Sequence, residues 1–304
     1  MENIKFTSKG VTCCAWHIPA TSDVLNNGNG RPCIVMAHGF GGTRDTGLLE
    51  FAKPFSEAGI DAFVFDYRGF GDSGGFPRQN VSYRNQREDY HSAIAAARKL
   101  PQIDKNRIAI WGTSYSGGHV IVIAAQDTKI AAVVSMTPAT DGLAALVQIR
   151  RYGGISQLAT AVGHGLRDLV RVITRREPHL IPIVGQPGSA AMISTPGAED
   201  GYKAMAGPTW RNEVCARTAL EVAQNRPITF ASNIICPLLV QVGSKDQVAP
   251  PDAARKTASL ANGQTELLEY PIDHFDVYGG PWQEKLLMDQ ITFLKKVFIP
   301  KASK

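Results

Sequence analysis

The feature that most constrains this chain is an apolar run that passes through a turn of small residues into a helical pattern. Residues 107–119 read Arg-Ile-Ala-Ile-Trp-Gly-Thr-Ser-Tyr-Ser-Gly-Gly-His. The apolar run predicts a buried strand, and the glycines let the following helix approach that strand closely. Ser114 stands on the turn between them, so its hydroxyl is presented above the end of the strand.

Short apolar strands alternate with helical patterns along most of the chain. An opening β-hairpin is predicted over 4–17, with its turn at Lys9-Gly10. Core strands are then predicted over 33–37, 62–65, 107–111, 131–136, 237–242 and 266–269. Helices are predicted over 47–58, 83–100, 116–126, 252–260 and 282–297. This alternation indicates an α/β fold with a mostly parallel central sheet and helices on both faces.

The segment 138–232 breaks the alternation. It is rich in Gly, Pro and Arg, lacks clear strand patterns, and has helical patches at 155–173 and 211–224. A structureless loop of this length is rare inside a compact domain. We therefore predict a core domain formed by 1–137 and 233–304, with an inserted, mostly helical cap formed by 138–232.

A glycine-rich loop follows the first core strand, with the sequence His-Gly-Phe-Gly-Gly over 38–42. This loop can bring the backbone N–H of Phe40 opposite the N–H of Tyr115. Two such donors stabilise the oxyanion of a tetrahedral intermediate in acyl transfer. An ordinary strand-to-helix turn is the alternative interpretation of the loop, and His38 is interpreted as a structural residue that supports it.

A serine nucleophile needs a histidine that takes its proton and a carboxylate that orients the histidine. Asp246 and His274 each follow a late predicted strand. Because parallel strands end at the same edge of a sheet, both side chains are expected beside Ser114. Asp141 is the alternative acid, and Ser116 is the alternative nucleophile.

Composition excludes several other classes of protein. The formal charge of +5 comes from scattered basic residues, so no nucleic-acid partner is expected. No apolar run has the length of a signal peptide or of a spanning helix, which predicts a cytoplasmic protein without a membrane partner. The five cysteines, with Cys13 beside Cys14, show no disulfide or zinc pattern, and no metal or other cofactor is expected.

In chain order, these motifs resemble the α/β-hydrolase superfamily over essentially the whole chain, including the loop at 66–75 that in this family shapes one wall of the site. The stretch 112–119 is similar to a branch with dienelactone-hydrolase-like, X-prolyl-peptidase-like and polyketide-transferase-like enzymes. One departure is Ser116, where the common G-x-S-x-G pattern has glycine. The resemblance implies a serine hydrolase but does not fix the substrate, because this branch mixes esterases, thioesterases and acyltransferases.

The resulting hypothesis is a serine hydrolase that cleaves a small-molecule carboxylic ester or thioester through an acyl-serine intermediate. Ser114, Asp246 and His274 are the predicted catalytic residues. The alternatives are an acyltransferase with an alcohol acceptor, a peptidase, and a non-catalytic binding protein. The oligomeric state, monomer or homodimer, stays open.

Two groups of cap residues are candidates for contact with the substrate. The pairs Arg150-Arg151 and Arg175-Arg176 are interpreted as solvated helix faces, with an anionic substrate group as the alternative. Four larger side chains could line an apolar pocket or simply pack in the core: Tyr152, Met192, Met205 and Trp210.

Overall fold

The computed structural model describes residues 1–299. Its ten strands are β1 (Glu2–Ser8), β2 (Val11–Ile18), β3 (Arg31–Ala37), β4 (Asp61–Phe65), β5 (Ile103–Thr113), β6 (Ala132–Met136), β7 (Leu180–Ile181), β8 (Val214–Cys215), β9 (Leu238–Gly243) and β10 (Thr265–Tyr270). Eight of them form one sheet in the order β1-β2-β4-β3-β5-β6-β9-β10. The pair β7 and β8 forms a separate small sheet.

The large sheet is mostly parallel, as predicted. Strands β1 and β2 form the expected hairpin, and its turn residues Lys9 and Gly10 both have positive φ (47° and 79°), as a tight two-residue turn requires. Strand β2 runs antiparallel to β4. All the other neighbours in the sheet pair in parallel.

Helices cover both faces of the sheet. The α-helices are α1 (Leu49–Glu57), α2 (Tyr83–Ala97), α3 (Tyr115–Gln126), α4 (Gly142–Ile173), α5 (Ala198–Met205), α6 (Pro251–Leu260) and α7 (Gly280–Phe298). Alternate residues of β5 point to opposite faces of the sheet. Ile110 belongs to the core cluster that includes residues of α2, α3 and α6, and Trp111 belongs to the cluster on the other face, with residues of α1 and α7. Among residues 1–299, no helix is long and apolar enough to cross a membrane.

The chain between β6 and β9 differs in part from the prediction. The helical patch at 155–173 belongs to a longer helix, α4, which begins at Gly142 and is interrupted at Gly154 (φ 72°, ψ −177°). The predicted helix over 211–224 is correct only in its second part, which is the 3₁₀ helix Ala216–Gln224, because its first part contains β8. The backbone of Cys215 pairs with Leu180 of β7, and that pairing holds it in an extended conformation.

The parallel core strands all end at one edge of the sheet. Strand β3 leads there into the glycine-rich loop at 38–42, and β5 leads into Ser114. The loops after β9 and β10 carry Asp246 and His274 to the same edge. The topology thus gathers the residues predicted to act together.

Candidate active site

Ser114 lies on a strained turn between β5 and α3. Its φ of 55° and ψ of −117° fall in a region that L-residues rarely adopt. The Ser114 N–H donates to the carbonyl of Met136 at 2.9 Å, which ties the turn to the end of β6. Gly112 is required here, because a Cβ at that position would lie 2.2 Å from the carbonyl oxygen of Ser116. The strained turn therefore depends on close packing between strand and helix.

Ser116, the alternative nucleophile, has different hydrogen-bond partners from Ser114. Its hydroxyl lies 3.1 Å from the hydroxyl of Tyr67, in a buried position at the start of α3. The Ser116 side chain thus occupies a polar niche where the common family pattern has glycine. Ser116 Oγ is hydrogen-bonded to Tyr67. Of the two serines, the one that contacts His274 is Ser114.

Ser114, His274 and Asp246 form a continuous chain of hydrogen bonds. The Ser114 hydroxyl lies 3.0 Å from His274 Nε2, and His274 Nδ1 lies 2.6 Å from Asp246 Oδ2. All three side chains are buried. Because the carboxylate only accepts, the proton between the last pair belongs on Nδ1, which leaves Nε2 free to accept the serine proton.

Asp246 is held in place through its second oxygen. Its Oδ1 accepts the backbone N–H groups of Val248 and Ala249 at 2.8 and 2.7 Å. Asp141, the alternative acid, instead accepts the N–H of Leu143 at the start of α4 and pairs with Arg226. The structure therefore brings Asp246, and not Asp141, to the histidine.

Asp273 connects the loop of the acid to the loop of the histidine. Its carboxylate accepts the backbone N–H and the side-chain amide of Gln247, at 2.9 and 2.7 Å. The same carboxylate accepts the backbone N–H of His274 at 2.7 Å. This contribution is not predictable from the sequence, because an acid beside a histidine is equally compatible with a solvated loop.

Two backbone N–H groups beside Ser114 are available for an oxyanion. Phe40 and Tyr115 line the same cavity as Ser114, and neither N–H donates to a protein acceptor within residues 1–299. Their rings pack edge to face, with centroids 5.4 Å apart. The N–H of Tyr115 is also the first of α3, where the helix dipole favours negative charge.

His38 orients the peptide that carries the Phe40 N–H. His38 Nδ1–H donates to the carbonyl of Gly39 at 2.9 Å. In a trans peptide the C=O and the N–H point in opposite directions, so a fixed Gly39 carbonyl fixes the Phe40 N–H. Burial lowers the pKa of His38 to about 4, so the ring is neutral near neutral pH. The structural role expected for His38 agrees with these contacts.

Tyr202, on α5, holds the next peptide of the same loop. Its hydroxyl donates to the carbonyl of Phe40 at 2.7 Å, and its ring stacks on Trp210 with centroids 5.1 Å apart. This contact is not predictable from the sequence either, because it joins positions 162 residues apart. A side chain of the inserted segment therefore holds the loop that faces Ser114.

A cavity of about 130 Å³ opens beside Ser114. Its apolar walls include Ala145, Ile149, Tyr152, Met192, Ile193 and Val248. Among the described residues that line this cavity, Asp141 is the one with a charged side chain, and it forms an ion pair with Arg226. A smaller cavity of about 20 Å³ lies on the His274 side of Ser114 and is lined in part by Met205 and Tyr278.

The cap residues considered from the sequence separate into two groups. Tyr152 and Met192 line the larger cavity, Met205 lines the smaller one, and Trp210 packs against Tyr202. The four arginines of the two pairs, by contrast, are exposed and line neither cavity. Among residues 1–299, no group of three or more His, Cys, Asp or Glu side chains could hold a metal ion.

This chain is similar to a known family and to several known proteins. The family described as Hydrolase_4, serine aminopeptidase S33, matches residues 28–271. The chain belongs to this family. This S33 hydrolase is 38% identical over 297 residues to the quorum-quenching protein AidA of Acinetobacter baumannii, with 97% of this chain and 94% of the relative covered. It is an enzyme of the serine esterase and thioesterase type.

Two further similarities concern the fold and the branch. The S33 hydrolase is 25% identical to the polyketide transferase af380 of Aspergillus fumigatus, with 97% and 98% of the two chains covered. The crystal structure of the α/β hydrolase GrgF from Penicillium superposes with a TM-score of 0.81 at 24% identity, covering 98% of each chain. The α/β-hydrolase fold and the polyketide-transferase-like branch are therefore confirmed.

Proposed function

We propose that this enzyme cleaves a small ester or thioester with an apolar acyl group, using Ser114 as nucleophile, His274 as base and Asp246 as the residue that orients His274. The observation that carries the proposal is the hydrogen-bonded chain from Ser114 to Asp246, at the mouth of an apolar cavity. In this proposal, residues 138–232 form a cap that supplies most of the cavity walls.

In the first half-reaction, Ser114 Oγ attacks the carbonyl carbon while His274 Nε2 takes the hydroxyl proton. The negative charge that develops on the carbonyl oxygen is stabilised by the N–H groups of Phe40 and Tyr115. The imidazolium then gives its proton to the leaving alcohol or thiol as the bond to the carbonyl carbon breaks. The product is an acyl-serine with neutral His274.

In the second half-reaction, a water molecule attacks the acyl-serine and His274 takes one of its protons. A second tetrahedral oxyanion forms at the same two N–H groups. His274 then returns the proton to Ser114 Oγ, which leaves as the hydroxyl and releases the carboxylic acid. The smaller cavity on the His274 side gives the water or leaving group a place beside Nε2.

Covalent labelling tests the nucleophile directly. A fluorophosphonate probe phosphonylates an activated serine and displaces fluoride, so the labelled enzyme gains one adduct. We expect peptide mass spectrometry to find that adduct on Ser114. An adduct on Ser116, or labelling that persists in the Ser114→Ala variant, would contradict the proposed nucleophile.

The size and polarity of the larger cavity point to an uncharged acyl group of moderate length. A cavity of about 150 Å³ holds a benzene-sized molecule, so the comparable space here suits roughly six carbons. The relative in A. baumannii is named a quorum-quenching protein, and this name supports a small signalling ester, open or cyclic, as the natural substrate.

Acyl chain length is expected to control activity. With p-nitrophenyl esters, kcat/KM should rise from acetyl to hexanoyl by about threefold to fourfold per methylene, because each buried CH₂ contributes about 0.8 kcal/mol. Ala145→Phe narrows the cavity and should shift the optimum to a shorter chain. Val147→Phe, an exposed position on the same helix, is the matched control and should leave the optimum unchanged.

Tyr202→Phe should lower kcat by about threefold to tenfold while KM stays nearly constant, because one hydrogen bond contributes about 1 kcal/mol to holding the oxyanion loop. Affinity for a boronic acid that mimics the tetrahedral intermediate should fall by the same factor. Tyr90→Phe, which removes hydrogen bonds to Val35 and Trp111, is the matched control for stability. An equal loss of kcat in both variants would argue against this role for Tyr202.

Acyl transfer to an alcohol is the second candidate, and the similarity to a polyketide transferase favours it. The same acyl-serine would form, and the acceptor hydroxyl would replace water in the second half-reaction. Product analysis with an added primary alcohol separates the two. An acid product alone supports hydrolysis, whereas an ester that outcompetes the acid in 55 M water supports transfer.

A further inference from the structure

Large apolar side chains are exposed along α4 after its break at Gly154. They are 42% to 74% exposed and comprise Ile155, Val162, Leu166, Leu169, Val170, Val172 and Ile173. Val172 points about 100° away from Ile155, and the other six, which lie on one side of the helix, are called the apolar stripe. On a monomeric protein, the apolar side of a surface helix normally faces the core. Here the inward side instead carries residues such as Gly165 and Asp168, which are buried.

Four of the six residues of the apolar stripe are placed symmetrically about position 164. An α-helix turns about 100° per residue, so Ile155 and Ile173 point in the same direction, five turns apart. Val162 and Leu166 lie roughly 20° to either side of that direction, at equal distances from position 164. A helix face with this symmetry presents the same pattern when it is read from either end.

We propose that two copies of this chain associate through antiparallel pairing of their apolar stripes, about a two-fold axis level with residue 164. In such an isologous contact, residue i meets residue j and j meets i. Ile155 of one copy then lies level with Ile173 of the other, and Val162 lies level with Leu166. Because Val162 and Leu166 lean to opposite sides of each helix, they interdigitate.

The exposed area fits a stable interface. Six such side chains, on average just over half exposed, present on the order of 600 Å² of apolar surface, and a standard interface buries about 800 Å² on each partner. Apolar patches on monomers rarely exceed about 300 to 600 Å². A second copy would cover the stripe with a surface of the same size and character.

Arg167 and Arg171, the two arginines of α4 that follow its break at Gly154, do not oppose the pairing. Arg167 and Arg171 lie about 120° and 160° around the helix from Ile155, outside the apolar stripe. Arg171 also donates to the backbone carbonyl of Glu177. The pairing therefore buries apolar side chains and leaves the guanidinium groups at its solvated edge.

The first experiment measures the mass of the full-length protein in solution, by light scattering coupled to gel filtration at micromolar concentration. We expect twice the mass of one chain. Leu166→Glu places two carboxylates close to the proposed axis and should weaken association by at least about 100-fold, giving monomers. Met288→Glu, an exposed apolar position on α7, is the matched control and should remain dimeric.

A second experiment tests the antiparallel register. Mixing the Ile155→Cys and Ile173→Cys variants under a mild oxidant should give an intermolecular disulfide between the two. Neither variant alone should give it, because the two copies of one position lie about 27 Å apart along the helix axis. The unmodified protein, with its five natural cysteines, provides the background.

Three results would overturn the proposal. The protein could be a monomer at micromolar concentration, or Leu166→Glu could stay dimeric, or each cysteine variant could cross-link efficiently with itself. A monomer that also sediments with vesicles of anionic phospholipid would assign the apolar stripe to a membrane surface instead. Circular dichroism of Leu166→Glu distinguishes a folded monomer from a misfolded chain.

Discussion

Replacing Ser114 with alanine is expected to lower kcat for ester substrates by on the order of 10⁶-fold, because no other group can form the covalent intermediate. The Ser114 hydroxyl contacts His274, and alanine is expected to keep the same backbone conformation because its side chain is smaller than that of serine. Loss of this one hydrogen bond should change the free energy of unfolding by about 1 kcal/mol or less. Turnover of a p-nitrophenyl ester, together with thermal unfolding, measures both effects.

The matched control for this variant is Ser116→Ala. Ser116 lies two residues away and bonds to Tyr67, so its loss should lower stability slightly and leave most of the activity. If Ser116→Ala abolishes turnover and Ser114→Ala does not, the nucleophile has been assigned to the wrong serine. If both retain activity, the reaction does not proceed through this turn.

Asp246→Asn is expected to lower kcat by about 10⁴-fold while the geometry of the site is preserved. The amide oxygen can still accept the N–H groups of Val248 and Ala249. Its NH₂ group, however, would donate to His274 Nδ1 and move the ring proton to Nε2. In that tautomer, His274 cannot accept the proton of Ser114. The rate of acyl-enzyme formation, followed by stopped-flow spectroscopy, measures the loss.

Asp141→Asn separates loss of catalysis from loss of structure. Asp141 caps α4 and pairs with Arg226. Asparagine caps a helix about as well as aspartate, so Asp141→Asn removes mainly a partly exposed ion pair and should lower stability only slightly, with little change in kcat. Nearly full activity in Asp246→Asn would refute the role of Asp246. A large loss in Asp141→Asn, without unfolding, would restore Asp141 as a candidate.

The central sheet and the residues at its edge could be predicted because their signals are local. Most core strands are short apolar runs, and the strands that lead to the site are followed by turns with distinctive residues, such as the glycines around Phe40. Parallel strands end at one edge of the sheet, so the sequence alone predicts that Asp246 and His274 lie beside Ser114. The chain between β6 and β9 offered no such repeated pattern.

The errors in that region have physical causes. Residues 211–224 have the spacing of a helix, yet Val214 and Cys215 pair with β7, and such a tertiary contact overrides a local preference. The first part of α4, before Gly154, was not predicted as helix. Apolar residues of this part line the cavity, whereas the apolar residues of α4 after Gly154 face solvent. A change of direction within one helix removes the regular repeat that sequence analysis depends on.

The contributions of Tyr202 and Asp273 could not be found for a different reason. Each acts through a backbone group: Tyr202 through the carbonyl of Phe40, and Asp273 through the N–H groups of Gln247 and His274. A hydrogen bond to a backbone group cannot be recognised from the residue type of the partner, since every residue except proline has the same N–H and C=O. Such partners become visible when the fold is known.

Gly154 has a consequence for how this protein can change over generations or in the laboratory. Its φ of 72° and ψ of −177° are available almost exclusively to glycine, and they set the two parts of α4 at different angles. Most α4 residues that line the cavity precede Gly154, whereas the apolar stripe follows it. Substitutions in the cavity that adapt the enzyme to a new acyl group can therefore accumulate without changing the apolar stripe through which two copies are proposed to pair. Substitutions in the apolar stripe can likewise accumulate without changing the cavity.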